Sequence, residues 1–177
     1  MTTLRRDAAA NRERLITAAL DVFNSVGLDA GVEQIAQRAG VGVGTLYRRF
    51  PTKEALIDYL VDELLADVTT RAADARAIAG GHGLEHYLRE LADELSAHRG
   101  CLPRMWSQEG QRDHTDLRRH ISVLLREAKA AGVIRADVTR EDITTVVWSL
   151  RGVIESAGAD SARACQRHLD YVFAGMR

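Results

Sequence analysis

Gly40-Val41-Gly42-Val43-Gly44-Thr45-Leu46-Tyr47-Arg48-Arg49-Phe50-Pro51-Thr52-Lys53-Glu54-Ala55-Leu56 is the stretch whose reading decides the fold. Glycine accepts positive φ without a side-chain clash, so a tight turn fits at Gly40-Val41-Gly42 and a short helix fits over 43–50. Pro51-Thr52 is a helix-start signal with Thr52 as the cap of a longer helix. A short helix placed between a glycine turn and a capped helix reads as the working end of a helix-turn-helix. From Arg38 to Lys53 the charged residues are Arg38, Arg48, Arg49 and Lys53, with no Asp or Glu, in a chain whose formal net charge is −1. A local basic face within a near-neutral protein points to a dedicated anionic partner, and the DNA backbone is the leading candidate.

Upstream, Leu15, Ala19, Val22 and Val26 mark one face of a helix expected from about Asn11, as cap, to Gly27, as stop, after a polar arm. Val32, Ile35, Ala36 and Ala39 give a second, much shorter apolar face that ends at Gly40. Helices this short gain stability chiefly by packing, so Leu46 and Phe50 should insert against the first helix and the start of the fourth. Downstream, Leu56, Leu60, Leu64 and Val68 continue a stripe along that fourth helix. A loop is expected around Gly80-Gly81, then a helix over 84–98 carrying Leu84, Leu88, Leu91 and Leu95. The stretch from Gly100 to Gly110 contains Pro103 and reads as a broken helix or a helix start. Further helices are expected through Leu117, Ile121, Leu124 and Ala128 up to Gly132, over 139–157 with Thr139 as cap, and over 160–175. No strand-like alternation of useful length occurs, so the chain is expected to be all-α.

Composition sets bounds on function. A chain of 177 residues, 46% hydrophobic and with only two prolines, favours a globular, mostly helical protein. Cys101 and Cys165 are far apart and in no metal-like spacing, so free thiols in a reducing compartment are expected. No run of about 18 apolar residues is present, so a cytoplasmic protein with no membrane partner is expected. No glutamate has a histidine three residues on, and neither a nucleotide-binding glycine loop nor a nucleophile elbow occurs, so neither an enzymatic activity nor a cofactor is expected. His82 and His86 have helical metal spacing, but His82 follows Gly80-Gly81 at the helix start, and no metal site is expected there.

The run from Arg12 to Leu65 closely resembles the TetR family of bacterial transcriptional regulators, most specifically in Gly44-Thr45-Leu46-Tyr47, Phe50 and Lys53-Glu54-Ala55-Leu56. The resemblance implies an amino-terminal helix-turn-helix domain, here 1–55 with its fourth helix leading out to about 70, and a helical ligand-binding and dimerisation domain over 56–177. It also implies a homodimer that binds a near-palindromic operator and a small effector that lowers DNA affinity. A helix-turn-helix places its second helix in the major groove, so Val43, Gly44, Thr45, Tyr47, Arg48 and Arg49 are the candidate DNA contacts. Carried over by position, Thr45 and Tyr47 contact phosphates or base edges and Lys53 holds a phosphate. Arg48 is a candidate for guanine recognition and Arg49 equally for a phosphate clamp, while Arg5, Arg6 and Arg12 form either an additional arm or a solvated tail.

Several positions depart from the commoner pattern. Gly31 and Gly42 stand where capping hydroxyls are frequent, and Glu33 occupies a position that is often basic. These departures leave room for a second reading, a ligand-sensing protein that acts through a protein partner. A repressor is expected; an activator would use the same DNA chemistry and differ only in where the operator lies.

Beyond Leu65 the resemblance is architectural. The wide apolar arc of the 139–157 helix and the apolar face of the last helix make Val146, Leu150, Val153, Leu169, Val172 and Phe173 the candidate dimerisation residues. Polar or aromatic groups that interrupt the middle stripes, His98, Met105, Trp106, His120, Trp148 and Arg151, are the effector-pocket candidates, with Glu155 as the expected partner of Arg151. Core packing remains an open alternative for Met105 and Trp106. The mixed aromatic and aliphatic walls imply an apolar or amphipathic effector, and helix 4 is the expected link between its site and the recognition helices.

Overall fold

Helix α1 runs over Thr2–Val26, α2 over Val32–Ala39, α3 over Val43–Arg49 and α4 over Lys53–Asp74 in a computed structural model that describes the backbone of residues 2–107 and 114–177 and the side chains of residues 10–107 and 114–177. Next come α5 (Gly83–Ala97), the short α6 (Leu102–Trp106), α7 (Thr115–Ala130), α8 (Arg140–Ala157) and α9 (Ser161–Met176), with single 3-10 turns at Ala75–Ala77, Ala79–Gly81, Arg99–Cys101 and Gly158–Asp160. Among the described residues there is no strand, and the chain is all-α.

Helix α1 starts well before Asn11, which sits inside it and accepts a hydrogen bond from the Arg14 guanidinium. Leucine, arginine and alanine precede Asn11, and such residues extend a helix rather than end one. In the glycine turn only Gly40 uses positive φ (69°), and the amides of Gly40 and Val41 close back on the carbonyls of Gln37 and Ala36. Gly42 is extended (φ −73°, ψ 148°), so its conformation demands no glycine. Thr52 does cap α4, accepting the Ala55 amide at 3.0 Å.

The chain forms two compact units, one of 2–63 with 98–107 and the other of 64–97 with 114–177. Helix α4 is continuous in sequence through both. In the first unit, α1 packs on α2 and on the turn at Arg99–Cys101. That last approach is backbone to backbone. A Cβ on Gly100 would lie 2.3 Å from the Phe23 carbonyl, and the Gly100 amide donates to Asn24 Oδ1 at 2.8 Å. Arg104 of α6 is paired with Asp58 of α4 at 2.9 Å. The core here is Leu15, Ala19, Phe23, Ile35, Leu46, Phe50, Leu56 and Leu60.

In the second unit α5 packs against α9 and α7, and α8 against α9. Leu84, Tyr87, Leu88, Leu95, Leu150, Leu169 and Phe173 fill its interior. Arg89 on α5 reaches Glu85 and, on α9, Gln166 and Asp170, while Arg71 on α4 binds Asp67, Glu90 and Glu94. Both cysteines are buried free thiols, and burial pushes the Cys101 thiol up to about 12, keeping it protonated at any physiological pH.

Candidate nucleic-acid interface

Helix α3 has seven residues and starts from Gly42 with no side-chain cap, so its stability rests on packing. Leu46 is fully buried and Phe50, its C-cap, is 5% exposed. These two anchors fix which way the rest of the helix faces. Gly44, Tyr47, Arg48 and Arg49 are exposed, and Val43 and Thr45 are half-buried. Tyr47 is 43% exposed, a large aromatic ring held out to solvent by a helix whose neighbouring hydrophobes are buried. The expected contact residues other than Lys53 therefore all lie on α3 and are exposed or half-buried.

Local bonds shape that surface. Arg48 Nη2 donates to Thr45 Oγ1 at 3.1 Å, which lays the guanidinium back along the helix toward its N-terminus. Arg49 leans over the Phe50 ring, with its guanidinium carbon 5.9 Å from the ring centre. Arg38, counted with the basic cluster in the sequence, is held by Asp21 of α1 at 2.9 Å. Asp21 lies seventeen residues away in sequence and meets Arg38 only because α2 packs on α1. Arg12 is likewise engaged inside the unit, stacked 5.0 Å from the centre of the Tyr59 ring and 3.8 Å from Glu63. The side chains of Arg5 and Arg6 lie outside the described residues.

Lys53 stands at the first position of α4 and points inward. Its ammonium donates to the carbonyl oxygens of Leu28, at 2.9 Å, and Ala30, at 3.4 Å, in the turn between α1 and α2. Glu33, exposed on the first turn of α2, folds back toward Gly31, where an added Cβ would lie 2.8 Å from Glu33 Oε2.

Two family models match the chain, that of bacterial regulatory proteins of the tetR family over residues 15–60 and that of the SbtR-like transcriptional regulator C-terminal domain over residues 79–177. The chain belongs to the TetR family of bacterial transcriptional regulators. A TetR transcriptional regulator of Streptomyces coelicolor is 33% identical in a structural match of TM-score 0.66 that covers 94% of this chain and 98% of that one. A TetR regulatory protein of Mycobacterium vanbaalenii is 28% identical at TM-score 0.69, covering 98% and 99%. The HTH-type transcriptional regulator BetI 1 of Chromohalobacter salexigens is 28% identical over 91% of this chain and 88% of its own length. Like other TetR regulators, the protein joins a DNA-binding helix-turn-helix to a ligand-binding domain. Members of the family act on transcription and are generally not enzymes.

The remaining candidates of this TetR regulator fall in different places. His98, Met105 and Trp106 belong to the first unit and are half-buried, whereas His120, Trp148 and Arg151 belong to the second. Trp148 is 50% exposed, and Arg151 is paired with Glu155 at 2.7 Å on a partly solvated surface. His120 carries a buried Nδ1 with no hydrogen-bond partner among the described residues. Tyr87, which sequence reasoning passed over, has a fully buried ring and a hydroxyl that is also without a partner there, and burial pushes its ionisation upward. Its position between Leu84 and Leu88 was the available signal, a polar tip on an otherwise aliphatic face. Of the dimerisation candidates, Val146, Leu150, Leu169 and Phe173 are buried within the chain's own core, and Val153 and Val172 are half-buried. The large apolar side chains that α8 and α9 leave exposed are Trp148 and Tyr171. Among the described residues, no helix is long and apolar enough to cross a membrane.

Proposed function

We propose that this TetR regulator is a repressor that binds a near-palindromic operator as a homodimer and releases it when a small apolar or amphipathic effector binds the second unit. The observation that carries the reading is the outward face of α3, where Tyr47, Arg48 and Arg49 are exposed beside Thr45 while Leu46 and Phe50 are buried. A major groove about 12 Å wide admits one such helix, and a guanidinium meets guanine O6 and N7 in bidentate fashion. Arg48, turned along the helix by Thr45, takes that role, and Tyr47 and Arg49 take backbone contacts.

Two recognition helices must sit about 34 to 36 Å apart, or a multiple of that, to enter successive major grooves. Dimerisation through α8 and α9 supplies the two-fold axis, with Val153, Val172 and the exposed Trp148 and Tyr171 as the contact surface. The Tyr87 hydroxyl and His120 Nδ1 support an effector that is apolar with a polar group, because a buried unpaired polar atom costs about 1 to 3 kcal/mol that a ligand hydrogen bond recovers. Helix α4, whose residues belong to both units, carries the coupling.

Selection of bound duplexes from a random DNA pool, with Tyr47→Ala as control and salt varied in the final binding assay, tests the reading. A palindrome recovered by the wild type and lost by the control, with affinity falling steeply as salt rises, is the expected outcome. Weak enrichment indifferent to Tyr47 would refute it and favour a sensor acting through a protein partner.

A further inference from the structure

Within the expected DNA-contact set, Lys53 has its charged group bonded to the backbone of a distant segment, whereas Arg48 and Arg49 meet only their own helix and its C-cap. Its ammonium has three N–H donors, and two are directed at the carbonyl oxygens of Leu28 and Ala30. These carbonyls belong to the segment between Gly27, which ends α1 at φ 94°, and Gly31, which precedes α2. Ala30 is buried at 3% exposure and Lys53 is half-buried, so the contact sits at the edge of the core rather than on a solvated rim. A charged donor to a carbonyl is stronger than a neutral one, and at a partly buried site each oxygen left unpaired is costly.

The placement has a mechanical consequence. Gly31 offers α2 no side-chain cap, and Gly42 offers α3 none, so neither short helix is fixed at its start by its own sequence. The Lys53 bridge joins the first residue of α4, itself capped by Thr52, to the backbone immediately before α2. Helices α2 and α3 lie in sequence between the two ends of that bridge. We propose that Lys53 is a positioning residue: it clamps the α1–α2 turn to the head of α4 and so sets the orientation of the helix-turn-helix, rather than neutralising a DNA phosphate. This rests on the operator-binding reading above and specifies how its recognition surface is held.

The test compares full-length wild type with Lys53→Met and Lys53→Gln, the latter retaining a donor without the charge. Two quantities are read, the salt dependence of affinity for the duplex selected by the wild type and amide hydrogen exchange over 27–33. A clamp predicts that Lys53→Met loses at least tenfold in affinity with an unchanged slope of log K against log salt, and that exchange in the turn accelerates. Lys53→Gln should recover part of both. A phosphate contact instead predicts a slope shallower by about 0.9 for each phosphate released, equally in both variants, with turn exchange unchanged, and that result overturns the proposal. Affinity and exchange both unaffected by Lys53→Met overturn it as well. Should Lys53→Met fail to fold, the slope and exchange of Lys53→Gln decide between the same outcomes. If the wild type selects no duplex, the operator reading falls by itself, and turn exchange alone then decides the clamp, faster exchange in the variants supporting it and unchanged exchange overturning it.

Discussion

Helices α3 and α8 begin in opposite ways. Helix α8 opens on a complete capping box, in which Thr139 Oγ1 accepts the Asp142 amide and Asp142 accepts the Thr139 amide, and it runs for 18 residues with Ile143, Val146, Leu150 and Ile154 buried. Helix α3 has seven residues, a glycine for a cap and one buried residue. Local sequence thus holds α8 in place at both its start and its stripe, while α3 exists because of what it packs against. A helix held by two anchors, Leu46 and Phe50, leaves most of its side chains free for another molecule. Helix α8 commits one stripe, Ile143, Val146, Leu150 and Ile154, to the core and is held by that stripe as well as by its cap.

The most forceful way to break this contrast is to remove one anchor from each helix. Leu46→Ala and Leu150→Ala each delete a fully buried side chain, and each should cost about 3 kcal/mol in chemical denaturation. Amide exchange should then separate them. Protection across the whole of α3 should disappear in Leu46→Ala, whereas α8 should keep its first turns in Leu150→Ala, and equal loss in both helices would erase the distinction.

Gly100→Ala should cost about 2 kcal/mol, read as a lowered melting temperature, because the new methyl group meets the Phe23 carbonyl and the Asn24 amide, which are backbone and cannot swing aside. The same change at Gly152 of α8, where an added Cβ has open space, should be neutral or slightly stabilising.

Tyr47→Ala sharpens the contrast from the functional side. It removes a side chain 43% exposed, so stability should stay within about 0.5 kcal/mol while operator affinity, measured by fluorescence anisotropy, falls tenfold or more. The smallest effect belongs to Gly42→Ser. Its backbone is extended and nothing lies within 4 Å of an added Cβ, so the hydroxyl can cap α3 and raise stability by a few tenths of a kcal/mol. A larger gain would mean that α3 depends on its own cap more than on its two anchors.

Most of the architecture was legible in the sequence because helix stripes, glycine stops and hydroxyl caps act over a few residues. Val32–Ala39, Thr52 and Thr139 all fall where those local signals put them. The start of α1 was misread at Asn11, where an arginine one turn on takes the side-chain oxygen that a cap would use. The exposure of Tyr47, Arg48 and Arg49 was legible too, since burying Leu46 and Phe50 leaves them outside. The neutralisation of Arg38 was not, because Asp21 is near only after α2 docks on α1. Nor was the fate of the α8 and α9 arcs, in which Val146, Leu150, Leu169 and Phe173 go to the interior and Trp148 and Tyr171 stay exposed. An apolar position states that a side chain prefers to leave water; whether its own chain covers it depends on neighbours that packing brings from far along the sequence.

The sequence by itself determined the all-α class, the helix-turn-helix and its outward residues, and membership of the TetR family, since each rests on short-range pattern and steric preference. Only the tertiary structure decided where Lys53 donates, that Gly100 must lack a side chain, and that Tyr87 and His120 keep buried polar atoms unpaired among the described residues. The reason is physical: a hydrogen bond or a steric contact depends on distances of a few ångströms between atoms, and for residues 25 or 76 positions apart those distances are set by packing alone.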